Sequence, residues 1–141
     1  MGTTYNSTVV DAPIEKVWAT VRNFYDLAWT QMNLTVKAVN DLKPDQIGAS
    51  RIINDVFHET LKDLNDFERS FAYHMTDGPD AVAKDKVKSF YGKLQLFAIT
   101  DEDKTYALWT TTYDAPDNSA VGEFVNPIYQ AALKGLKKTL A

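Results

Sequence analysis

Residues Ser119–Ala141, SAVGEFVNPIYQAALKGLKKTLA, decide how the rest of this chain folds. Val121, Phe124, Val125, Ile128, Ala132, Leu136 and Leu140 recur at helical spacing, whereas Glu123, Gln130, Lys134 and Lys137 fall off that stripe. The pattern is one apolar face on one long helix. Lys134, Lys137 and Lys138 stand in its last turns, where cations suit the negative end of the helix dipole. Nearly everything between Leu34 and Tyr113 reads as strand, so the only large surface that can cover the stripe is a sheet. A long helix held against a curved antiparallel sheet leaves a hollow between them, and hence a pocket. Pro127 breaks the local rule, because a proline inside a helix removes one backbone hydrogen bond. Either the regular helix begins near Pro127 after a looser turn, or the helix bends there and opens a portal.

Upstream, the hydrophobic period is two rather than helical. Thr105 to Tyr113 and Phe90 to Ile99 alternate as strands joined across Asp101-Glu102-Asp103. Arg69 to Thr76, Val56 to Leu64, Ala49 to Ile53 and Leu34 to Ala38 precede them, with Asn65-Asp66 and Asn54-Asp55 as turns. These connections are mostly too short for crossovers, which predicts an antiparallel meander. Asp77–Ser89 is the longest link between consecutive strands, rich in lysine and poor in apolar anchors. Thr3 to Val10 reads as a further strand, separated from the others by a helix over Pro13 to Asn23 and a second helical turn over Phe24 to Gln31. This strand finds a partner most simply on the last one, giving seven strands. The class is α+β.

Composition narrows the function. The 141 residues form a single domain spanning 1–141, with 45% hydrophobic and 12% aromatic residues. A net charge of −4 argues against a nucleic-acid partner, which needs a clustered basic face. No apolar run approaches an integral membrane segment, and no secretory signal opens the chain, so a soluble, cytoplasmic protein is expected. There is no cysteine, and the two histidines are isolated, so neither a metal site nor a cofactor site is expected. No nucleophile elbow, phosphate loop or dinucleotide fingerprint occurs. Nothing in the sequence sets an oligomeric state.

The run Val9-Val10-Asp11-Ala12-Pro13-Ile14-Glu15-Lys16-Val17-Trp18 resembles the opening signature of the START-like, or Bet v 1-like (SRPBCC), superfamily. Gly48, the Phe71-Ala72-Tyr73-His74-Met75 strand, Leu108-Trp109 and Ile128 to Leu136 continue the likeness to its polyketide cyclase/dehydrase and lipid-transport branch. The resemblance implies a helix-grip fold, in which a seven-stranded curved sheet and two short helices surround the long C-terminal helix over a cavity. It also implies a ligand that is small and apolar or aromatic. Superfamily members include carriers, cyclases and chaperone activators, so the fold does not choose among them.

Alternation assigns Phe71, Tyr73, Met75, Phe90, Leu94, Leu96, Ala98, Trp109, Thr111 and Tyr113 to the inner face of the sheet. With Phe124 and Ile128 from the helix, the aromatic members of this set and Met75 and Thr111 form the expected ligand-binding wall. His74 shares the outer parity. His58, Glu59 and Arg51 are the candidate acid/base groups. Arg51 and Glu59 face each other either as an exposed cross-strand ion pair of little energetic weight, or inward, where Arg51 would hold a ligand carboxylate or phenolate. The expected function is binding or carriage of a small hydrophobic molecule. The alternatives are a cyclase-type enzyme using general acid/base groups and a protein-interaction module marked by an exposed apolar patch. Asp77–Ser89 and Gly122–Pro127 are expected to form a mobile mouth, with Trp109 and Tyr113 rigid behind it.

Overall fold

The computed structural model describes residues 1–141. Gly2–Val10 forms β1 and Ile14–Val21 forms α1; a 3-10 turn follows at Ala28–Thr30. Then come β2 (Val36–Ala38), β3 (Ser50–Ile53), β4 (Phe57–Asn65) and β5 (Ser70–Asp77). After a second 3-10 turn at Asp80–Val82, β6 (Ser89–Ile99) and β7 (Lys104–Asp114) lead into α2 (Asn118–Thr139). The seven strands form one antiparallel sheet in the order β1-β7-β6-β5-β4-β3-β2. β2 to β7 are therefore a meander, and β1 returns to pair with β7 from Gly2↔Tyr113 to Val10↔Thr105. This is the α+β helix-grip arrangement, with α2 lying across the concave face.

Local chemistry explains the joints. Asn54 and Asp55 sit at φ 52° and 61°. Positive φ at both central residues is what the mirror-image two-residue hairpin turn requires, and Asn and Asp tolerate it. Pro13 stands just before α1 rather than inside it, and its carbonyl accepts from Lys16 N and Val17 N at 3.0 and 3.1 Å. Asp117 caps α2 by accepting from Ala120 N at 3.1 Å. Register shifts near His58/Glu59 and Leu61/Asp63 bend β4 against β5, curving the sheet around the helix.

α2 runs unbroken through Pro127, so the helix does not start late as one sequence reading had it. Its buried side is Val121, Val125, Tyr129, Ala132, Leu133, Gly135 and Leu136. Gly135 is required by approach: a Cβ there would lie 1.8 Å from the Thr30 carbonyl oxygen. α2 and the Ala28–Thr30 turn are also tied by Thr139 Oγ1 donating to Trp29 O at 3.0 Å.

Two expectations are corrected. Ala98 is exposed, near the tip of the β6–β7 hairpin. The Asp77–Ser89 link is better anchored than its composition suggests, since Val82 is only 3% exposed. Asp77 also accepts from Gly78 N and Lys84 N, and Lys88 N donates to Asp114 O.

Candidate functional site

Between α2 and the sheet lies a cavity of about 60 Å³, and 12 of its 15 lining residues are hydrophobic. Leu27, Thr30, Met32 and Leu34 line it from the segment after α1; Ile53, Phe57 and Met75 come from the sheet. Trp109 lies on the floor, and Val125, Ile128, Tyr129 and Ala132 face it from α2. Such a volume holds a few waters. An apolar cavity that takes up a benzene ring is nearer 150 Å³ (roughly). Met32, Leu34, Phe57 and Ile128 are only half-buried, so the thin side of the wall lies among these four.

Two charged side chains are built into this wall. Arg51 and Glu59 are directly opposed in the β3–β4 register, and they point inward at 2% and 5% exposure. The exposed-pair reading of the sequence is thus overturned. Arg51 Nε and Nη2 both donate to Glu59 Oε1, at 3.0 and 2.7 Å, and Nη1 donates to the Phe24 carbonyl at 2.6 Å. The guanidinium lies 3.8 Å from the centroid of the Phe24 ring, within cation–π range. All three guanidinium nitrogens are engaged by protein. These bonds use three of the five guanidinium N–H groups, and the two that form the ion pair go to Glu59. Glu59 Oε2 makes no such bond.

A second polar cluster adjoins the pair. Trp109 Nε1 donates to the Tyr73 hydroxyl at 3.0 Å, and the Tyr73 and Tyr129 hydroxyls are 2.8 Å apart. Burial, with Glu59 nearby, pushes the Tyr73 hydroxyl far above the ordinary tyrosine range. Burial, then Tyr73 and Glu59, raise Tyr129 in the same direction. Both phenols therefore stay protonated, as neutral hydrogen-bonding groups. Gly92 lies opposite Tyr73 in β6, and a Cβ there would lie 2.2 Å from the Tyr73 ring, so this glycine makes room for the ring.

The candidates read from the sequence divide in space. Tyr73, Met75, Trp109, Ile128, Arg51 and Glu59 meet around the cavity. Phe71 is buried beside it, edge-on to Phe24 with centroids 6.2 Å apart. Phe90 and Tyr113 stack at 5.6 Å elsewhere in the core. The Thr111 hydroxyl is bonded to that of Thr4. Phe124 is half-buried against the core without reaching the cavity. His58 pairs with Ile52, adjacent to the inward Arg51–Glu59 pair, which puts it on the opposite face. His74 stacks on Tyr91 at 4.7 Å, also on the outer face. Tyr129 is the lining residue that the helical stripe overlooked, although it continues the four-residue spacing of Val121 and Val125.

The family of polyketide cyclase/dehydrase and lipid-transport proteins matches residues 1–141. The chain belongs to this family. No curated protein is matched. A protein of this fold from Nitrosospira multiformis is 33% identical, with a TM-score of 0.95 over 99% of this chain and 96% of that one. A Thermobifida fusca protein gives 22% identity and a TM-score of 0.82, covering 97% of this chain and 91% of that one. XoxI from Bacillus cereus gives 22% and 0.78, covering 99% and 96%. The last two bear on the fold alone. No helix here is long and apolar enough to cross a membrane.

Proposed function

We propose that this member of the polyketide cyclase/dehydrase and lipid-transport family binds a small hydrophobic or aromatic molecule between α2 and the concave sheet. The observation that carries the reading is an apolar cavity whose polar side chains, Thr30 apart, gather in two adjoining groups, Arg51–Glu59 and Tyr73–Tyr129. Small-molecule sites are built this way, apolar for affinity and polar at a few points for orientation. The resting volume is below that of a ring, so a ligand enters by displacing Met32, Leu34, Phe57 and Ile128, the half-buried part of the wall. A panel of acyl chains, quinones and fused aromatics tests this by thermal shift and by tryptophan fluorescence. A true ligand at 100 times its Kd adds about 2.7 kcal/mol of apparent stability. A panel without any stabilisation or emission change counts against the proposal.

A cyclase-type reaction is the second reading, and one observation favours it. Arg51, Glu59 and two tyrosine hydroxyls converge on one cavity, where confinement assists acid/base chemistry. His58 has no part in it. Turnover of a bound polyketide-like ketone that disappears in Tyr129→Phe would favour this reading over carriage.

A further inference from the structure

We propose that the cavity selects a hydroxyl group, an uncharged alcohol or phenol, over a carboxylate. This rests on the cavity being a ligand site and adds the chemistry that the site recognises. Both hydrogen bonds from Arg51 to Glu59 end on Oε1. Oε2 accepts none, yet it is not sealed away, because Ser70 Oγ is the one fully enclosed side-chain polar atom without a partner. Glu59 is 5% exposed and lines the cavity, so Oε2 is an open acceptor at its wall.

The tyrosine pair supplies the opposite half. Tyr73 and Tyr129 hold two hydroxyl hydrogens between them, and their mutual bond uses one. Trp109 Nε1 is a donor only, so it takes up neither hydrogen. One phenolic hydrogen is left over, and it is bonded to no protein acceptor. An open carboxylate acceptor and an unspent hydroxyl donor in one apolar cavity are the complement of a ligand O–H. That group donates to Glu59 Oε2 and accepts from a tyrosine.

Charge excludes the anion. The positive charge of Arg51 is neutralised by Glu59, and three of its five N–H groups are spent on Glu59 and the Phe24 carbonyl. A ligand carboxylate would meet the negative oxygen of Glu59 in a medium of low dielectric, where like charges repel strongly.

The test uses three probes of one shape, p-cresol, p-xylene and p-toluate, titrated calorimetrically into the intact protein near neutral pH. The expected result is that p-cresol binds on the order of tenfold or more tighter than p-xylene, a hydrogen bond to a charged group. No binding of p-toluate is expected. Equal affinity for p-cresol and p-xylene, or p-toluate binding as tightly as p-cresol, overturns the proposal and leaves the cavity as a ligand site. Silence from all three overturns both. Glu59→Gln is the second arm: it removes the anionic acceptor and leaves the charge of Arg51 uncompensated, so p-toluate is expected to overtake p-cresol. A Glu59→Gln protein that keeps the wild-type order refutes the assignment. If that variant does not fold, the wild-type series decides alone.

Discussion

Removing Arg51 is the sharpest perturbation of this fold. Arg51→Met keeps a long side chain but deletes two bonds to Glu59 Oε1, the bond to the Phe24 carbonyl and the cation–π contact with the Phe24 ring. The loss leaves a carboxylate at 5% exposure with no partner. Breaking a buried pair from one side costs about 3–5 kcal/mol, most of it the penalty of the orphaned charge. An exposed pair would cost below about 1 kcal/mol. Against a typical stability of about 5–15 kcal/mol, the loss is large enough to endanger folding. The companion Arg51→Met/Glu59→Leu removes both charges and leaves only the Phe24 carbonyl short of a partner, a cost of about 1–3 kcal/mol. The double variant is therefore expected to be more stable than Arg51→Met alone. Urea unfolding followed by far-ultraviolet circular dichroism measures the wild type, Arg51→Met, Glu59→Leu and the double variant. If Arg51→Met is too unstable to purify, rescue by the second substitution is the readout. A single variant within about 0.5 kcal/mol of the wild type, or a double variant whose loss is the sum of the two single losses, refutes the buried-pair account.

Three further outcomes are expected. Gly135→Ala, which in an ordinary helix interior gains up to about 1 kcal/mol, should instead lose about 1–3 kcal/mol in urea melts, because its methyl meets the Thr30 carbonyl. A stabilised variant would contradict the close approach of α2. The His74 imidazole is held below the ordinary histidine value by burial and then by Lys62, so its folded form binds a proton more weakly than the unfolded chain. Its contribution is complete above the unfolded value of about 6.5 and declines as pH falls through it. His74→Gln should abolish that decline, and an NMR titration showing a raised value would reverse the sign. Ligand binding should slow hydrogen exchange around Met32–Leu34, Phe57 and Ile128. Gly78 follows them because a Cβ there would lie 3.5 Å from the Phe57 ring. Protection confined to Asp80–Lys88 would place the mouth at the lysine-rich link instead.

The fold was legible because its two periods are long and clean. β6 and β7 run eleven residues each, and α2 holds one stripe for twenty-two. Asn54-Asp55 announced its turn by chemistry, since few other pairs accept positive φ twice. Short elements were harder. Leu34 was expected in β2, but the strand starts at Val36, and Leu34 serves the cavity instead. Val82 and Val87 are two valines in a largely polar link, and no periodicity shows that Val82 is buried. Ala98 alternates correctly and is still exposed, because alternation reports a face of the strand and not whether anything covers that face.

The polar part of the site hid for a different reason. In the four residues of β3, Arg51 shares its face with Ile53, and Ser50 shares the other with Ile52, so alternation alone is undecided. β4 held the clue: Glu59 stands between Phe57 and Leu61 at period two, the parity of a core face. A charge on that face contradicts the usual rule that charges stay in water, so the sequence reading left both orientations open. The energetics turn this contradiction into an argument for function. Apart from the bond to the Phe24 carbonyl, an apolar pair of equal volume would hold the β3–β4 hairpin about as well as a buried ion pair does. Stability therefore does not explain why Arg51 and Glu59 sit in the wall of an otherwise apolar cavity, whereas recognition of a polar group on a ligand does. The Arg51→Met/Glu59→Leu protein separates the two explanations. If the pair serves recognition, that protein stays folded with an intact apolar cavity, and it loses the preference for p-cresol over p-xylene.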